Sequence, residues 1–224
     1  MDTEASIAVR QIGEWWLKLR QPAGEGPFPV IGMLHGWTGD ENSMWVFAGR
    51  LPRNALLIAP RGLYPSPLGG FAWHTQPSQR SQRNRLWPRV EDFDPAVEAL
   101  LALLSPENFP QGDFSQLRLV GFSQGAALTF ALGIQYPERV QALAGLAGFL
   151  PEGSAELAVG QPLLDKPVFL AHGTRDELVP VEKARLAATI LERAGATVNY
   201  CEHDVGHKLN AACFRSLEIF FEDN

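Results

Sequence analysis

Short apolar runs alternate along the chain with longer amphipathic segments. The runs end in Gly, Pro or polar turn residues, which is typical of strands bounded by turns. They read IAVRQI, EWWLKL, FPVIGMLHG, ALLIAPRG, LRLVGF, VQALAGLAGF, KPVFLAHG and TVNYCEH. The first two are separated by Gly13 and predict an opening β-hairpin.

In the segments between these runs, apolar residues recur every three or four positions, which predicts helices. These segments are ENSMWVFAGRL, DPAVEALLALL, QGAALTFALGIQY, VEKARLAATILERAG and LNAACFRSLEIFF. Strands that are apolar throughout are buried on both faces, and their alternation with helices indicates a mostly parallel sheet. We therefore predict a doubly wound α/β fold with helices on both faces, whose chemistry collects at the carboxyl ends of the strands.

Residues 60–88 show no clear period and are too long for an ordinary connection, so we interpret them as a lid or a binding loop above the site. Their aromatic residues Phe71, Trp73 and Trp87, together with Trp37, are candidates to line an apolar substrate pocket. The alternative is that these rings only cover the edge of the sheet.

The composition changes this picture little. A chain of 224 residues, 46% hydrophobic and 20% charged, is expected to form one domain, residues 1–224, with a substantial core. The net charge of −6 disfavours nucleic acid as a partner, and no apolar run is long enough to span a bilayer. The acidic N-terminus does not resemble a secretory signal.

Two cysteines, Cys201 and Cys213, are too few for a disulfide framework and lack C-x-x-C spacing. Reduced thiols in the cytoplasm are the expectation, although a single disulfide stays open.

The sequence GFSQG places Ser123 between a predicted strand and a predicted helix. A serine needs a neighbouring base to act as a nucleophile, and a sharp strand-to-helix turn exposes its oxygen above the sheet. Side chains at Gly121 or Gly125 would crowd this turn. The context favours a nucleophile elbow over a chance match.

Two further residues complete a candidate catalytic triad. His207 follows the last predicted strand and would serve as the base, while Asp176 follows the preceding strand and would orient the imidazole. Each residue alone has an ordinary explanation, as a surface histidine or a turn aspartate. Together they give the chain order Ser, Asp, His, which is typical of α/β-hydrolases.

Backbone N–H groups are the candidate oxyanion donors. One belongs to Gln124, the residue after the proposed nucleophile. The other is assigned to Trp37 in the loop LHGWTGDE, which follows an earlier strand.

Cofactors and metals find little support in the sequence. No P-loop and no G-x-G-x-x-G motif is present. A metal at His203, Asp204 and His207 is disfavoured because Gly206 weakens a helix that would align the two histidines. We predict neither a metal nor a cofactor.

The motifs LHGWTGDE, GFSQGA, HGTRDELVP and DVGHKL together resemble the phospholipase/carboxylesterase family of α/β-hydrolases, which includes acyl-protein thioesterases. The resemblance runs from about residue 28 to the C-terminus. It implies the same roles for the triad and oxyanion residues. The loop HGWTGD is one residue longer than the family's usual HGLGD.

From these features we expect a serine hydrolase that cleaves carboxylic esters of short to medium acyl chains through an acyl-enzyme, without a large cap domain. Thioesters and lysophospholipids are further substrate classes. The alternatives are a serine peptidase on the same fold and a protein that binds a small ligand without catalysis. The sequence does not predict the oligomeric state.

Overall fold

The computed structural model describes residues 5–75 and 87–224. Its main sheet has eight strands, which we number in chain order with two short strands, β5 and β6, that pair separately. The bounds are β1 Ser6–Ile12, β2 Trp15–Gln21, β3 Phe28–Leu34, β4 Leu56–Pro60, β5 Tyr64–Pro65, β6 Phe71–Ala72, β7 Gly112–Phe122, β8 Ala142–Leu146, β9 Pro167–Gly173 and β10 Thr197–His203.

The strand order in the main sheet is β1-β2-β4-β3-β7-β8-β9-β10. The first two strands form the predicted antiparallel hairpin, and β2 pairs antiparallel with β4. Every remaining pair is parallel. The carboxyl ends of β3, β7, β9 and β10 therefore meet along one edge, where the predicted site residues follow them.

Six α-helices are described: α1 Trp45–Ala48, α2 Asp94–Leu103, α3 Gln124–Gln135, α4 Ser154–Leu157, α5 Val181–Arg193 and α6 Ala211–Asp223. Apolar residues of α2, α3 and α5 pack on one face of the sheet, and those of α1 and α6 pack on the other. Neighbouring strand residues such as Val30 and Ile31 enter opposite clusters, as the period of a strand requires. The predicted doubly wound architecture is confirmed. Among the described helices, none combines the length and apolarity that a bilayer crossing needs.

The predicted helix over residues 41–51 is much shorter in the structure. Asp40 accepts hydrogen bonds from the backbone N–H groups of Asn42 and Ser43, at 2.9 and 3.1 Å, and holds this stretch in a turn. Such aspartate-to-backbone bonds compete with helix formation, so only Trp45–Ala48 is helical.

The irregular segment 60–88 is described in part. Residues 64–65 and 71–72 form the small β5–β6 hairpin, which the sequence did not predict. Residues 76–86 of the segment lie outside the described part of the chain.

The structure corrects the expectation of reduced cysteines, because Cys201 and Cys213 form a disulfide. The bond joins β10 to the first turn of α6 and closes a loop that contains His207. The cysteines therefore do not support a cytoplasmic location. That location stays a prediction.

Candidate active site

Ser123 occupies a strained turn between β7 and α3. Its φ and ψ angles are 54° and −114°, a backbone conformation that a non-glycine residue adopts at a cost of about 1–3 kcal/mol. Its N–H donates to the carbonyl of Leu146 at the end of β8, at 2.9 Å, and its own carbonyl accepts from Ala126 in the first turn of α3, at 3.0 Å. The neighbouring strand and the helix together hold this conformation.

Two glycines allow the turn to close. A Cβ atom at Gly121 would collide with the carbonyl of Gly125, and one at Gly125 would collide with the carbonyl of Leu34. The obstacles are backbone atoms, which cannot rotate away. The predicted need for glycine at both positions is confirmed.

His207 and Asp176 are joined by a hydrogen bond. Nδ1 of His207 lies 2.6 Å from Oδ2 of the fully buried Asp176 side chain. A carboxylate can only accept here, so Nδ1 carries the proton and Nε2 is left as the basic nitrogen. Oδ1 of Asp176 accepts the N–H groups of Leu178 and Val179, both at 2.9 Å, and this fixes the carboxylate.

The ring of Phe122, the residue before Ser123, packs against the imidazole of His207. The two ring centroids are 4.9 Å apart in an edge-on arrangement. The structure therefore brings the three residues Ser123, Asp176 and His207 to one region at the carboxyl ends of β7, β9 and β10. Sequence reasoning missed Phe122, whose position directly before the proposed nucleophile was the available signal.

The loop that carries Trp37 passes directly beside Ser123. A methyl group added at Gly36 would lie 3.2 Å from Cβ of Ser123. The N–H of Gly39 donates to the carbonyl of Gly36 at 3.0 Å, and Thr38 adopts a left-handed φ of 67°. The loop residue Gly36, which precedes Trp37, thus lies against the turn before α3, where Gln124 begins the helix and N–H groups lack helical partners.

His35 is a structural residue of this loop. It is fully buried, its Nε2 accepts the N–H of Gly62 at 2.8 Å, and its Nδ1 lies 2.7 Å from the carbonyl of Gly36. Burial lowers the pKa of His35, chiefly by disfavouring the charged imidazolium. A neutral imidazole with one donor and one acceptor fits both bonds.

Trp73 belongs to the core and does not line an open pocket, contrary to expectation. Its side chain has no exposed surface, and its indole N–H donates to the carbonyl of His35 at 2.7 Å. Its backbone N–H donates to Oε1 of Gln124 at 2.9 Å. Trp73 thus links the loop at His35 to the start of α3 at Gln124, because it donates one hydrogen bond to each.

Phe71 and Trp87 are partly exposed. Phe71 lies under the guanidinium of Arg61, 4.7 Å from its ring centroid, and its N–H donates to the carbonyl of Gly39. Trp87 packs edge-on against Phe149 at a centroid distance of 4.7 Å. The contact of these rings with a substrate stays a prediction.

A surface groove of about 500 Å³ lies beside the turn at Ser123, since Gly36 and Phe122 line it. We call it the α1–α6 groove, and its apolar lining comprises Trp37, Met44, Val46, Phe47, Phe122, Leu209 and Phe214. Sequence reasoning did not single out this groove, because residues from four separate segments form it.

A second histidine, His172, lies beside the carboxylate of Asp176, with Nε2 3.4 Å from Oδ2. The same Nε2 is 2.8 Å from the carbonyl of Val179, so it carries the proton, and burial lowers the pKa of His172. Its Nδ1 has no hydrogen-bond partner among the described residues. A neutral His172 leaves the carboxylate free to pair with His207.

One cluster of potential metal ligands appears among the described residues. The sulfurs of Cys201 and Cys213 and a ring nitrogen of His203 lie within 4.8 Å of one another. The disulfide occupies both sulfurs. Asp204 forms an ion pair with Arg175 at 2.6 Å.

Comparison with known families identifies the family of this chain. The family model described as Phospholipase/Carboxylesterase matches residues 23–223. The chain belongs to the phospholipase/carboxylesterase family. This confirms the resemblance and the α/β-hydrolase fold that it implied.

Curated proteins named as esterases and thioesterases are similar to this chain in sequence. An acyl-protein thioesterase 1 from Kluyveromyces lactis is 33% identical over 183 residues, which cover 73% of this chain and 76% of the relative. A probable carboxylesterase from Oryza sativa is 29% identical over 58% of this chain and 49% of its own length. The chain spans about half to two thirds of the curated relatives that it matches first.

A solved structure shares the fold. The crystal structure of esterase PE8 superposes with a TM-score of 0.78 at 21% identity, and the match covers 98% of this chain and 99% of that chain. At this identity the likeness concerns the fold.

Proposed function

We propose that this protein is a serine hydrolase that cleaves carboxylic esters, or thioesters, with short to medium acyl chains. Ser123 is the nucleophile, His207 the base and Asp176 the residue that orients the imidazole. The backbone N–H groups of Trp37 and Gln124 are the oxyanion donors.

In this mechanism the Oγ atom of Ser123 attacks the substrate carbonyl while Nε2 of His207 takes its proton. Asp176 stabilises the resulting imidazolium, and the two N–H groups stabilise the oxyanion. Each N–H group lowers the activation free energy by about 3–4 kcal/mol. The imidazolium then protonates the leaving group. Water activated by the same imidazole releases the acid from the acyl-enzyme.

The observation that carries the proposal is the backbone strain at Ser123. A φ of 54° at a serine is uncommon, and the hydrogen bonds that Ser123 donates to β8 and accepts from α3 hold it there. Strain of this kind persists where surrounding structure maintains it, and it clusters at active sites. The buried Asp176 hydrogen-bonded to His207 supports the same function, because it fixes a basic nitrogen.

The test measures hydrolysis of p-nitrophenyl esters, acyl thioesters and peptide amides by the wild-type protein and Ser123→Ala. We expect ester turnover that the substitution reduces by at least a thousandfold, while Ser216→Ala, on α6, stays near wild type. Turnover of amides in preference to esters would indicate a peptidase. Ligand binding without turnover would indicate a non-catalytic protein.

A fluorophosphonate probe identifies the nucleophile directly, because it forms a covalent adduct with an activated serine. We expect mass spectrometry to place the adduct on Ser123. An adduct on another serine, with Ser123 unmodified, would refute the assignment.

A further inference from the structure

Apolar residues lie on two sides of Ser123, on opposite faces of the sheet. Phe149 and Trp87 pack with the α2–α3–α5 face, and the adjoining Gly148 abuts the carbonyl of Ser123. The α1–α6 groove lies on the other face, where Phe47 and Leu209 belong to the second core cluster. An ester has two substituents, an acyl chain and an alcohol portion, and the question is which of them the α1–α6 groove accepts.

The position of His207 distinguishes the two sides. Lys208 and Leu209, which follow His207 directly, form one wall of the α1–α6 groove. Phe122, whose ring packs on the imidazole, lines the same groove. The groove therefore begins beside the imidazole, whereas Phe149 follows β8 on the far side of the elbow.

The proton transfers of ester cleavage require the leaving oxygen to lie next to this imidazole. The serine oxygen bonds to the carbonyl carbon, and its proton moves to Nε2 of His207. When the bond from carbon to the leaving oxygen breaks, that proton passes to the departing alcohol. The substituent on the leaving oxygen must then extend from the imidazole, which is where the groove begins.

We propose that the α1–α6 groove binds the apolar alcohol portion of the substrate ester, and not its acyl chain. This assignment deepens the proposed function and rests on it. The groove's volume of about 500 Å³ falls in the range of ligand-binding clefts.

Two of its apolar side chains support this use. Val46 is 68% exposed and Trp37 is 39% exposed, although both line a mostly apolar cleft beside the candidate site. An alkyl alcohol would cover surface that is now in contact with water. Each methylene group that the groove buries should raise kcat/KM by up to about fourfold.

The experiment compares two substrate series. In the first, the butanoyl group is constant and the alcohol grows from methyl to octyl. In the second, p-nitrophenol is the constant leaving group and the acyl chain grows from acetyl to octanoyl. The readout of each series is the ratio of kcat/KM for its longest member to that for its shortest member.

Val46→Trp narrows the groove from an exposed position, and Val159→Trp is the matched control. Val159 is 64% exposed and lies outside the groove. We expect an octyl-to-methyl ratio of at least ten in the wild type, at least tenfold lower in Val46→Trp and unchanged in Val159→Trp. Val46→Lys should lower the ratio too, because an ammonium group disfavours an alkyl chain. The acyl ratio should stay constant.

A uniform loss of folded enzyme lowers kcat/KM for every substrate equally and leaves each ratio unchanged. If Val46→Trp lowers kcat/KM but leaves the octyl-to-methyl ratio unchanged, the assignment of the groove is overturned. A flat alcohol series in an active wild type, or an effect of Val46→Trp on the acyl ratio instead, would overturn it as well. These outcomes leave the proposed function standing. If the wild type shows no ester turnover that Ser123→Ala abolishes, the proposed function itself is refuted, and the groove's role with it.

Discussion

Oδ2 of Asp176 lies 2.6 Å from Nδ1 of His207, while Oδ1 of the same carboxylate accepts two backbone N–H groups. The two oxygens therefore have separate tasks. One anchors the carboxylate to the turn after β9, and the other sets the tautomer of the imidazole. This division allows a substitution that disturbs only the second task.

Asp176→Asn should lower kcat by about 10⁴-fold and leave the fold intact. The asparagine Oδ1 can keep the bonds from Leu178 and Val179. Its NH₂ group would face Nδ1 of His207 and favour the tautomer whose Nε2 carries the proton, which removes the base. Steady-state kinetics on an ester and circular dichroism measure the two effects.

Asp165→Asn is the matched control, because Asp165 is exposed and asparagine tolerates its left-handed φ of 60°. It should keep the wild-type rate. Retained turnover in Asp176→Asn would remove Asp176 from its proposed role.

The free energy of unfolding should decrease below about pH 6.5. Burial lowers the pKa of His35 and His172 in the folded state, so the unfolded chain binds more protons once the pH falls below its own histidine pKa of about 6.5. The contribution of the two neutral histidines to the free energy of unfolding is complete above that pH. It is lost progressively as the pH falls toward their folded-state pKa. Each histidine adds a slope of up to about 1.4 kcal/mol per pH unit.

Urea titrations from pH 8 to 5 measure this slope. His172→Gln should make it shallower, because one of the two buried groups no longer titrates. A free energy of unfolding that stays constant between pH 7 and 5 would contradict the prediction.

Gly125→Ala should destabilise the fold by more than about 2 kcal/mol, because the new Cβ atom would collide with the carbonyl of Leu34. Gly49→Ala is the control, since no atom lies within 4 Å of its Cβ position. The control should be neutral or stabilising by about 0.5 kcal/mol. Equal effects of the two substitutions in urea unfolding would argue against a close-packed elbow.

Reduction of the disulfide between Cys201 and Cys213 should lower both stability and ester turnover. The bond closes a short loop around His207, and loops of this length correspond to about 3 kcal/mol in the chain-entropy account. Dithiothreitol should therefore affect the wild type, while the double variant Cys201→Ser, Cys213→Ser should not respond to it. An unchanged wild type after verified reduction would contradict this prediction.

The pattern of apolar residues predicted most of the fold, because strand and helix periods are local properties. The strand at Thr197–His203 and the helix at Val181–Arg193 coincide closely with the predicted segments. The helix expected over 41–51 failed where side chains of Asp40 and Ser43 bonded to the backbone. The spacing of apolar residues does not predict such side-chain hydrogen bonds, which compete with the backbone bonds of a helix.

Motif order also predicted that the candidate triad would lie at one edge of the sheet, since residues that follow parallel strands meet there. The aromatic pocket was a weaker prediction. Trp73 satisfies its donors inside the core, whereas Phe47 and Phe214, which stack at 5.5 Å, line the groove instead. An aromatic residue has the same hydrophobicity in either place, so its type does not reveal which surface it covers.

The sequence by itself determined the alternation of strands and helices, the elbow glycines and the candidates Ser123, Asp176 and His207, because each depends on residues close together in the chain. Tertiary structure alone decided the partners of Cys201 and His172, the burial of Trp73 and the existence of the α1–α6 groove. These features arise where distant segments pack, and their geometry depends on the shape of every neighbour at once.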